Sequence, residues 1–314
     1  MRKSPFFSVV IPVYNRKHRI GKAIQSMLEQ SFQDWELLLI DDASSDGSFE
    51  FMQNFKDPRI KVYRNQSNQE RCRSRNRGIE LASGQYIAFL DSDDYHLPQH
   101  YQELYEAIEA AGFPKAFFFT NAWNETEEGE RSERLCPPLE SMPVPNYFLR
   151  HTVNPQRWAV HADLMREQPF DPNIQIAEDM ETSLRICFSG AQVHQITKRT
   201  TVYVAASDSF THGASNKWER ELDALKKIFK KPIFKSKLPK KETFRLLSMC
   251  YFHLAMKAFQ NQESAKVLRF GLRSFFLCPA GYNRKTNKPL FVAIIYHVPL
   301  LGHSLRFLRA LHKN

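Results

Sequence analysis

Asp91, Asp93 and Asp94 stand at the end of an apolar run, Tyr86-Ile87-Ala88-Phe89-Leu90, introduced by Gly84 and Gln85. Such a run reads as a buried strand of a parallel sheet. Carboxylates at the carboxyl end of a buried strand are costly unless something neutralises them. In extended backbone Asp91 and Asp93, two positions apart, point to the same side. Two converging carboxylates make an oxygen-rich site for a hard divalent cation, Mg²⁺ or Mn²⁺, whose open positions substrate phosphates can fill. A competing reading makes these acids caps of a following helix, because Asp94-Tyr95-His96-Leu97-Pro98 resembles the turn before one. An isolated Asp-x-Asp leaves both readings open.

The surrounding pattern is what must position them. Phe7 to Tyr14, Trp35 to Ile40, Ile60 to Tyr63, Gln85 to Leu90 and Ala116 to Thr120 read as strands. Between them, His18–Gln30, a segment opened by Asp46-Gly47-Ser48, Ser74–Leu81 and Tyr101–Ala111 carry helical spacing. This alternation implies a mostly parallel α/β sheet covered on both faces. Ligands of such sheets sit beyond the carboxyl ends of the strands, where Asn15, Asp41-Asp42 and Asp91-Ser92-Asp93 collect. Asp46-Gly47-Ser48 reads as plain helix capping. Residues 121–140 are acidic and loop-like, and the prolines at 137, 138, 143 and 145 argue against regular structure. Trp158–Met165 reads as ordered and Ala177–Ser189 as a helix; Val193–Ile196 and Thr201–Val204 look like further strands.

The chain has 314 residues, is 42% hydrophobic and carries a net charge of +10. Residues 216–314 hold 21 Lys and Arg against 5 Asp and Glu, a balance of +16 that leaves −6 for the remainder. That shift marks a boundary near residue 215, with a domain over 1–215 and a basic helical module over 216–314. The basic module implies an anionic partner. Its aromatics recur on helices, which favours helix packing and an anionic membrane surface over base stacking, so no nucleic acid is expected. Homo-oligomerisation through the apolar stretch Pro289 to Leu311 is the other reading of this module. The five dispersed cysteines fit free thiols in a reducing cytoplasm, no signal peptide is expected at the N-terminus, and no apolar run reaches spanning length.

Four motifs occur in a fixed order: Val9 to Arg16, Asp41 to Ser48, Arg75-Asn76-Arg77-Gly78-Ile79, and Gly84 to Asp94. Together they make the chain resemble the family 2 glycosyltransferases of the GT-A fold, closely over about 6–110 and more loosely to about 215. The resemblance implies a GT-A sheet with helices on both faces, followed here by the helical module. It also implies a nucleoside-diphosphate sugar as donor, UDP-linked before dTDP or GDP, and a divalent metal. Pro12, Tyr14, Asn15, Asp42, Arg75, Asp91 and Ser92 would form the donor site, with Tyr14 against the base and Asp42 on base or ribose. Arg71, Arg73 and Arg77 would add positive charge for the diphosphate. Asp93 would bind the metal directly, Asp91 would contact ribose or reach the metal through water, and His212 would approach the diphosphate or complete the metal shell.

The family's Glu-Asp pair falls on Glu178 and Asp179, which implies that Asp179 takes the proton of the acceptor hydroxyl while Glu178 orients it or binds the acceptor. Favourable acid charge at a helix N-terminus is the alternative for that pair. Arg157 to His161 is expected to line the acceptor pocket. The implied reaction is inverting transfer to a saccharide or lipid-linked acceptor in surface polysaccharide or lipopolysaccharide synthesis, at the cytoplasmic face of the membrane. A nucleotide-sugar-binding protein or nucleotidyltransferase without sugar transfer is the alternative. A dinucleotide-binding oxidoreductase is disfavoured, because Pro12-Val13-Tyr14-Asn15-Arg16 lacks the glycine-rich turn.

Overall fold

The computed structural model describes residues 4–134, 136–205 and 216–278. Two compact units divide between Gly213 and Ala214. The first contains the sheet. Its strands are β1 (Phe7–Val13), β2 (Trp35–Asp41), β3 (Ile60–Arg64), β4 (Tyr86–Phe89), β5 (Tyr95–His96), β6 (Phe117–Glu125), β7 (Arg131–Arg134), β8 (Trp158–His161) and β9 (Val193–Val204). The helices among them are α1 (Ile20–Leu28), α2 (Ser48–Met52), α3 (Glu70–Leu81), α4 (His100–Ala110), α5 (Val144–Arg150), α6 (Ala162–Glu167) and α7 (Glu178–Phe188).

The strand order is β3-β2-β1-β4-β8-β6-β9-β5, with β7 paired to β6. The first four strands run parallel, and the antiparallel pairings begin at β8, which joins β4 to β6. The mostly parallel α/β sheet expected from the sequence is therefore present, with its parallel half at the first two motifs. β2 is buried along its whole length and β4 likewise. That is why both read as nearly continuous apolar runs, with Glu36 the one polar residue before their ends, rather than alternating ones. Pro12 is tolerated in a central strand because β4 has ended beside it: the last β1–β4 pair is Val10 with Phe89.

Other boundaries differ from expectation. β6 continues to Glu125 and forms a hairpin with β7, inside the segment expected to be loop. The charges of Arg131, Glu133 and Arg134 hide that strand, because an exposed two-stranded ribbon needs no apolar face. Pro143 and Pro145 open α5 rather than prevent a helix, since the first turn needs no N–H. The two short strands expected at 193–204 are one strand, β9, irregular opposite Thr120, Asn121 and Ala122. The second unit comprises α8 (Lys217–Lys230), α9 (Pro232–Lys237), α10 (Lys240–Gln260) and α11 (Ser264–Leu277). In it α10 and α11 pack around Ala255, Ala258 and Val267, and the Ser248 and Ser274 hydroxyls meet at 3.0 Å. No helix among the described residues is long and apolar enough to cross a membrane. The stretch Pro289–Leu311 lies outside the described residues.

α3 lies close on β1 because Gly78 has no side chain. A Cβ there would sit 2.2 Å from Val10 Cγ1 and 2.8 Å from Val10 Cγ2. Gly78→Ala must lift α3 from the sheet or displace Val10, and overpacking of this kind costs about 1–3 kcal/mol. A melting temperature lower by about 3–10 °C is expected, with partial recovery in Val10→Ala/Gly78→Ala; an unchanged melting temperature in Gly78→Ala would show that the contact is not tight.

Candidate active site

The acidic stretch after β4 is a turn, with Asp94 N–H donating to Asp91 O at 3.2 Å. The extended geometry expected for Asp91 and Asp93 is therefore not adopted; burial first, and then the Asp91 charge, push the Asp93 carboxyl up. Asp94 is raised further by burial and by both neighbours. It turns inward, accepting from Gln156 Nε2 at 2.7 Å and from Val204 N–H at 2.9 Å, and so ties the turn to the end of β9. The capping alternative does not hold, because α4 starts only at His100, after Gln99. Ser92 is buried between the two acids.

The residues fit a hard cation. Two carboxylates repel each other at the end of a buried strand, and a divalent ion would relieve that repulsion with oxygen donors. Among the described residues no group of three or more His, Cys, Asp or Glu side chains forms a metal cage. Asp93 and Asp91 could offer such a cation two carboxylate donors. His212 lies outside the described residues.

Arg75 connects this turn to the Glu-Asp pair. It is buried on α3, and its Nη2 donates to Asp91 Oδ1 at 2.7 Å while Nη1 donates to Glu178 Oε1 at 3.1 Å. The Phe170 ring lies 5.3 Å from the guanidinium carbon. Asn76 fixes that ring, bonding both the carbonyl and the N–H of Phe170 at 2.8 and 2.9 Å. Arg77 donates to Arg64 O at 2.7 Å and to Asn65 Oδ1 at 2.5 Å, joining α3 to the end of β3. Each member of Arg75-Asn76-Arg77-Gly78 thus has a separate structural partner. The segment is helical from Glu70; Arg71 and Arg75 bond carboxylates, and Arg73 is exposed.

Glu178 and Asp179 begin α7, with Glu181 also in the first turn, so their charge favours the helix N-terminus in addition to any chemistry. Glu178 is held by Arg75 and by Arg71, whose Nε lies 2.9 Å from Oε1. Asp179 is buried, and its Oδ1 accepts from Met180 N–H at 2.7 Å. Burial, and then the adjacent Glu178 charge, push its carboxyl up to about 7. A carboxylate poised there can take a proton near neutral pH.

On the donor side, Tyr14 is 48% exposed at the end of β1, which rules out a core role for its ring. Asn15 takes a left-handed φ of +50°. Its N–H donates to Ser44 Oγ at 3.0 Å and its Oδ1 accepts from Ser45 N–H at 2.9 Å, joining the loops after β1 and β2. Asp42 is buried and accepts from Asn65 Nδ2 at 2.6 Å and Gln69 N–H at 3.0 Å, so it also anchors the start of α3. Asp41 is wholly buried and pairs with Arg64 at 3.2 Å, a structural role. Asp46 accepts from Ser48 N–H at 2.9 Å and from Lys17 N–H at 3.0 Å, so it both caps α2 and holds the first loop. Asn15, Ala43, Glu70 and Ala177, four of six non-glycine residues with positive φ among those described, flank these site segments. Strain of this kind persists where surrounding contacts over-determine the backbone.

Arg157 to His161 does not line a pocket. Arg157 is fully buried and bonds Thr120 O at 2.6 Å; Trp158 is fully buried and stacks on Phe170 at 5.8 Å. Trp158, Ala159 and Val160 are core positions of β8, and His161 caps α6. Gln156, which carries no signal in the sequence, supports the acid turn through Asp94, and its carbonyl meets His96 Nε2 at 2.7 Å.

The sequence profile of glycosyl transferase family 2 matches residues 8–162. A Bacillus subtilis protein named as a candidate teichuronic acid biosynthesis glycosyltransferase is 29% identical over 220 residues, 68% of this chain and 84% of its own. An Escherichia coli UDP-Glc:alpha-D-GlcNAc-diphosphoundecaprenol beta-1,3-glucosyltransferase is 44% identical over 87 residues, 28% of this chain and 34% of its own. Among solved structures, S. aureus TarS 1-349 in complex with UDP-GlcNAc superposes with a TM-score of 0.66 at 16% identity, covering 96% of this chain and 91% of that one.

Proposed function

This chain belongs to glycosyl transferase family 2, and on that premise we propose that it is an inverting hexosyltransferase that uses a UDP-sugar and a divalent metal. The observation that carries this reading is Asp179: a buried carboxyl raised to about 7, joined through Glu178 and Arg75 to the Asp91 carboxylate. Tyr14, Asn15 and the Asp42 region receive the nucleotide, with Pro12 and Ser92 shaping the strand ends around it. Asp93 and Asp91 would hold the cation, which when bound offsets the charge of the leaving diphosphate. Asp179 accepts the proton of the acceptor hydroxyl as that oxygen attacks the anomeric carbon from the side opposite the diphosphate. A carboxyl near 7 matches this task, strong enough as a base yet substantially ionised at neutral pH.

The names of the relatives support a UDP-sugar donor and a saccharide on a lipid diphosphate as acceptor, in surface polysaccharide synthesis. The basic second unit then serves attachment at the inner face of the cell membrane. Lys235, Lys237, Lys240 and Lys241 are exposed there, as are Leu272, Phe275 and Phe276 on α11. Each lysine near an anionic surface contributes up to about 1 kcal/mol.

Four measurements test this reading. Because the base must be ionised, UDP release from UDP-glucose or UDP-GlcNAc should rise with pH through about 7. Asp179→Asn should bind UDP normally and lose turnover by about 10²–10⁴-fold; weakened UDP binding with unchanged turnover would place Asp179 in the donor site instead. Asp93→Asn should keep its melting temperature, since a repelled carboxylate is removed. It should also lose at least about tenfold of any Mn²⁺-dependent gain in UDP affinity, measured by calorimetry; an undiminished gain would remove Asp93 from the metal site. The whole chain should float with phosphatidylglycerol-rich vesicles at low salt and be released by high salt. If it stays unbound at low salt, membrane attachment fails and the apolar face is left for a second copy.

A further inference from the structure

Arg71 and Arg75 are one helical turn apart on α3 and converge on a single carboxylate of another element. Glu178 Oε1 lies 2.9 Å from Arg71 Nε and 3.1 Å from Arg75 Nη1. Its Oε2 accepts from Arg71 Nη2 at 3.2 Å, and the same Nη2 also donates to the Gln175 carbonyl, just before α7. Glu178 is 5% exposed and Arg75 2%. Both oxygens of Glu178 are therefore engaged within the protein. For Arg75 to reach a diphosphate it would have to leave Asp91 and Glu178, giving up two ion pairs and leaving Glu178 to Arg71 alone.

The grip falls where the backbone needs it. Ala177, between Gln175 and Glu178, has a φ of +61°, a conformation that costs a non-glycine residue energy and must be held from outside. The next residue after Glu178 is Asp179, whose position depends on how α7 begins.

We propose that Arg71 and Arg75 are positioning residues that clamp the start of α7 through Glu178, so that Glu178 is the handle of the clamp rather than a ligand of the acceptor. Arg75, bonded at the same time to Asp91, sets the spacing between the donor-side acids and Asp179. This rests on the reading of Asp179 as the base. It differs from the family resemblance, which would put Arg75 on the nucleotide and Glu178 on the acceptor.

A double-mutant cycle on Arg71→Gln and Glu178→Gln tests it, with UDP release from UDP-GlcNAc and UDP-glucose as readout and water as acceptor. Each single variant should lower kcat by about 10–100-fold, the cost of a small misplacement. Donor KM and UDP affinity should stay within about twofold, and the double variant should be no worse than the poorer single. Arg71→Lys should recover part of the loss. Additive losses, full activity in Glu178→Gln, or a tenfold loss of UDP affinity in Arg71→Gln would overturn the clamp. Hydrogen exchange reads it without turnover: amides of residues 178–182 should exchange at least about tenfold faster in Arg71→Gln and Glu178→Gln while β1 and β2 stay protected. Unchanged exchange there would also overturn it. Asp179→Asn, measured in parallel, separates the two readings. Retained turnover in that variant with an intact cycle removes only the base assignment, whereas lost turnover with an additive cycle removes only the clamp.

Discussion

A buried guanidinium needs compensating charge, and Arg75 finds it in two carboxylates that come from distant parts of the chain. Asp91 is 16 residues away and Glu178 is 103. Removing one partner of such a buried pair typically costs about 3–5 kcal/mol, because the other charge is left unpaired. Arg75 cannot shift without exposing that penalty, so the turn after β4 and the start of α7 are held at fixed separation. The Phe170 ring beside the guanidinium, and Asn76 holding the Phe170 backbone, extend the same constraint to the segment before α7.

Acid chemistry gathers around this charge in two different environments. Asp91 pairs with Arg75 at 2.7 Å, whereas Asp93, Asp94 and Asp179 are all pushed up by burial and by neighbouring carboxylates. The reasons for retaining them differ. Asp94 hydrogen-bonds Val204 and Gln156 and so supports the turn. Asp93 and Asp179 have no comparable anchoring role among the described contacts. Residues kept at an electrostatic cost with little structural return are the ones expected to meet substrate or metal.

Support for these acids reaches into the core. The aromatic stack of Trp158 on Phe170, with Phe89 edge-on to Phe170, fills the space between β4, β8 and the approach to α7. Below the acid turn, His96 and His100 stack at 3.7 Å and are wholly buried, with burial holding His96 down at about 4. They pack as neutral rings, one bonded to Gln156 and the other to Thr200. The turn therefore rests on a neutral, hydrogen-bonded platform, and its charge is handled on the opposite side by Arg75.

Much of this was legible in the sequence. The runs at β1, β2 and β4 are buried on both faces and so appear as largely apolar segments, interrupted only by Ser8 and Glu36 before their polar ends. Glu178-Asp179 stands at a helix start. What sequence could not supply is who meets whom. Arg75 reads as a cation awaiting a phosphate until folding brings Asp91 and Glu178 against it. Trp158 reads as a sugar-facing group until β8 is inserted between β4 and β6 and becomes interior. The β7 hairpin is invisible to hydrophobic periodicity because it buries almost nothing. Local pattern determines which segments are buried and where polar residues must emerge, since those depend on nearest neighbours along the chain. Charge pairing over a hundred residues depends on strand order and helix placement, and only the tertiary structure decides it.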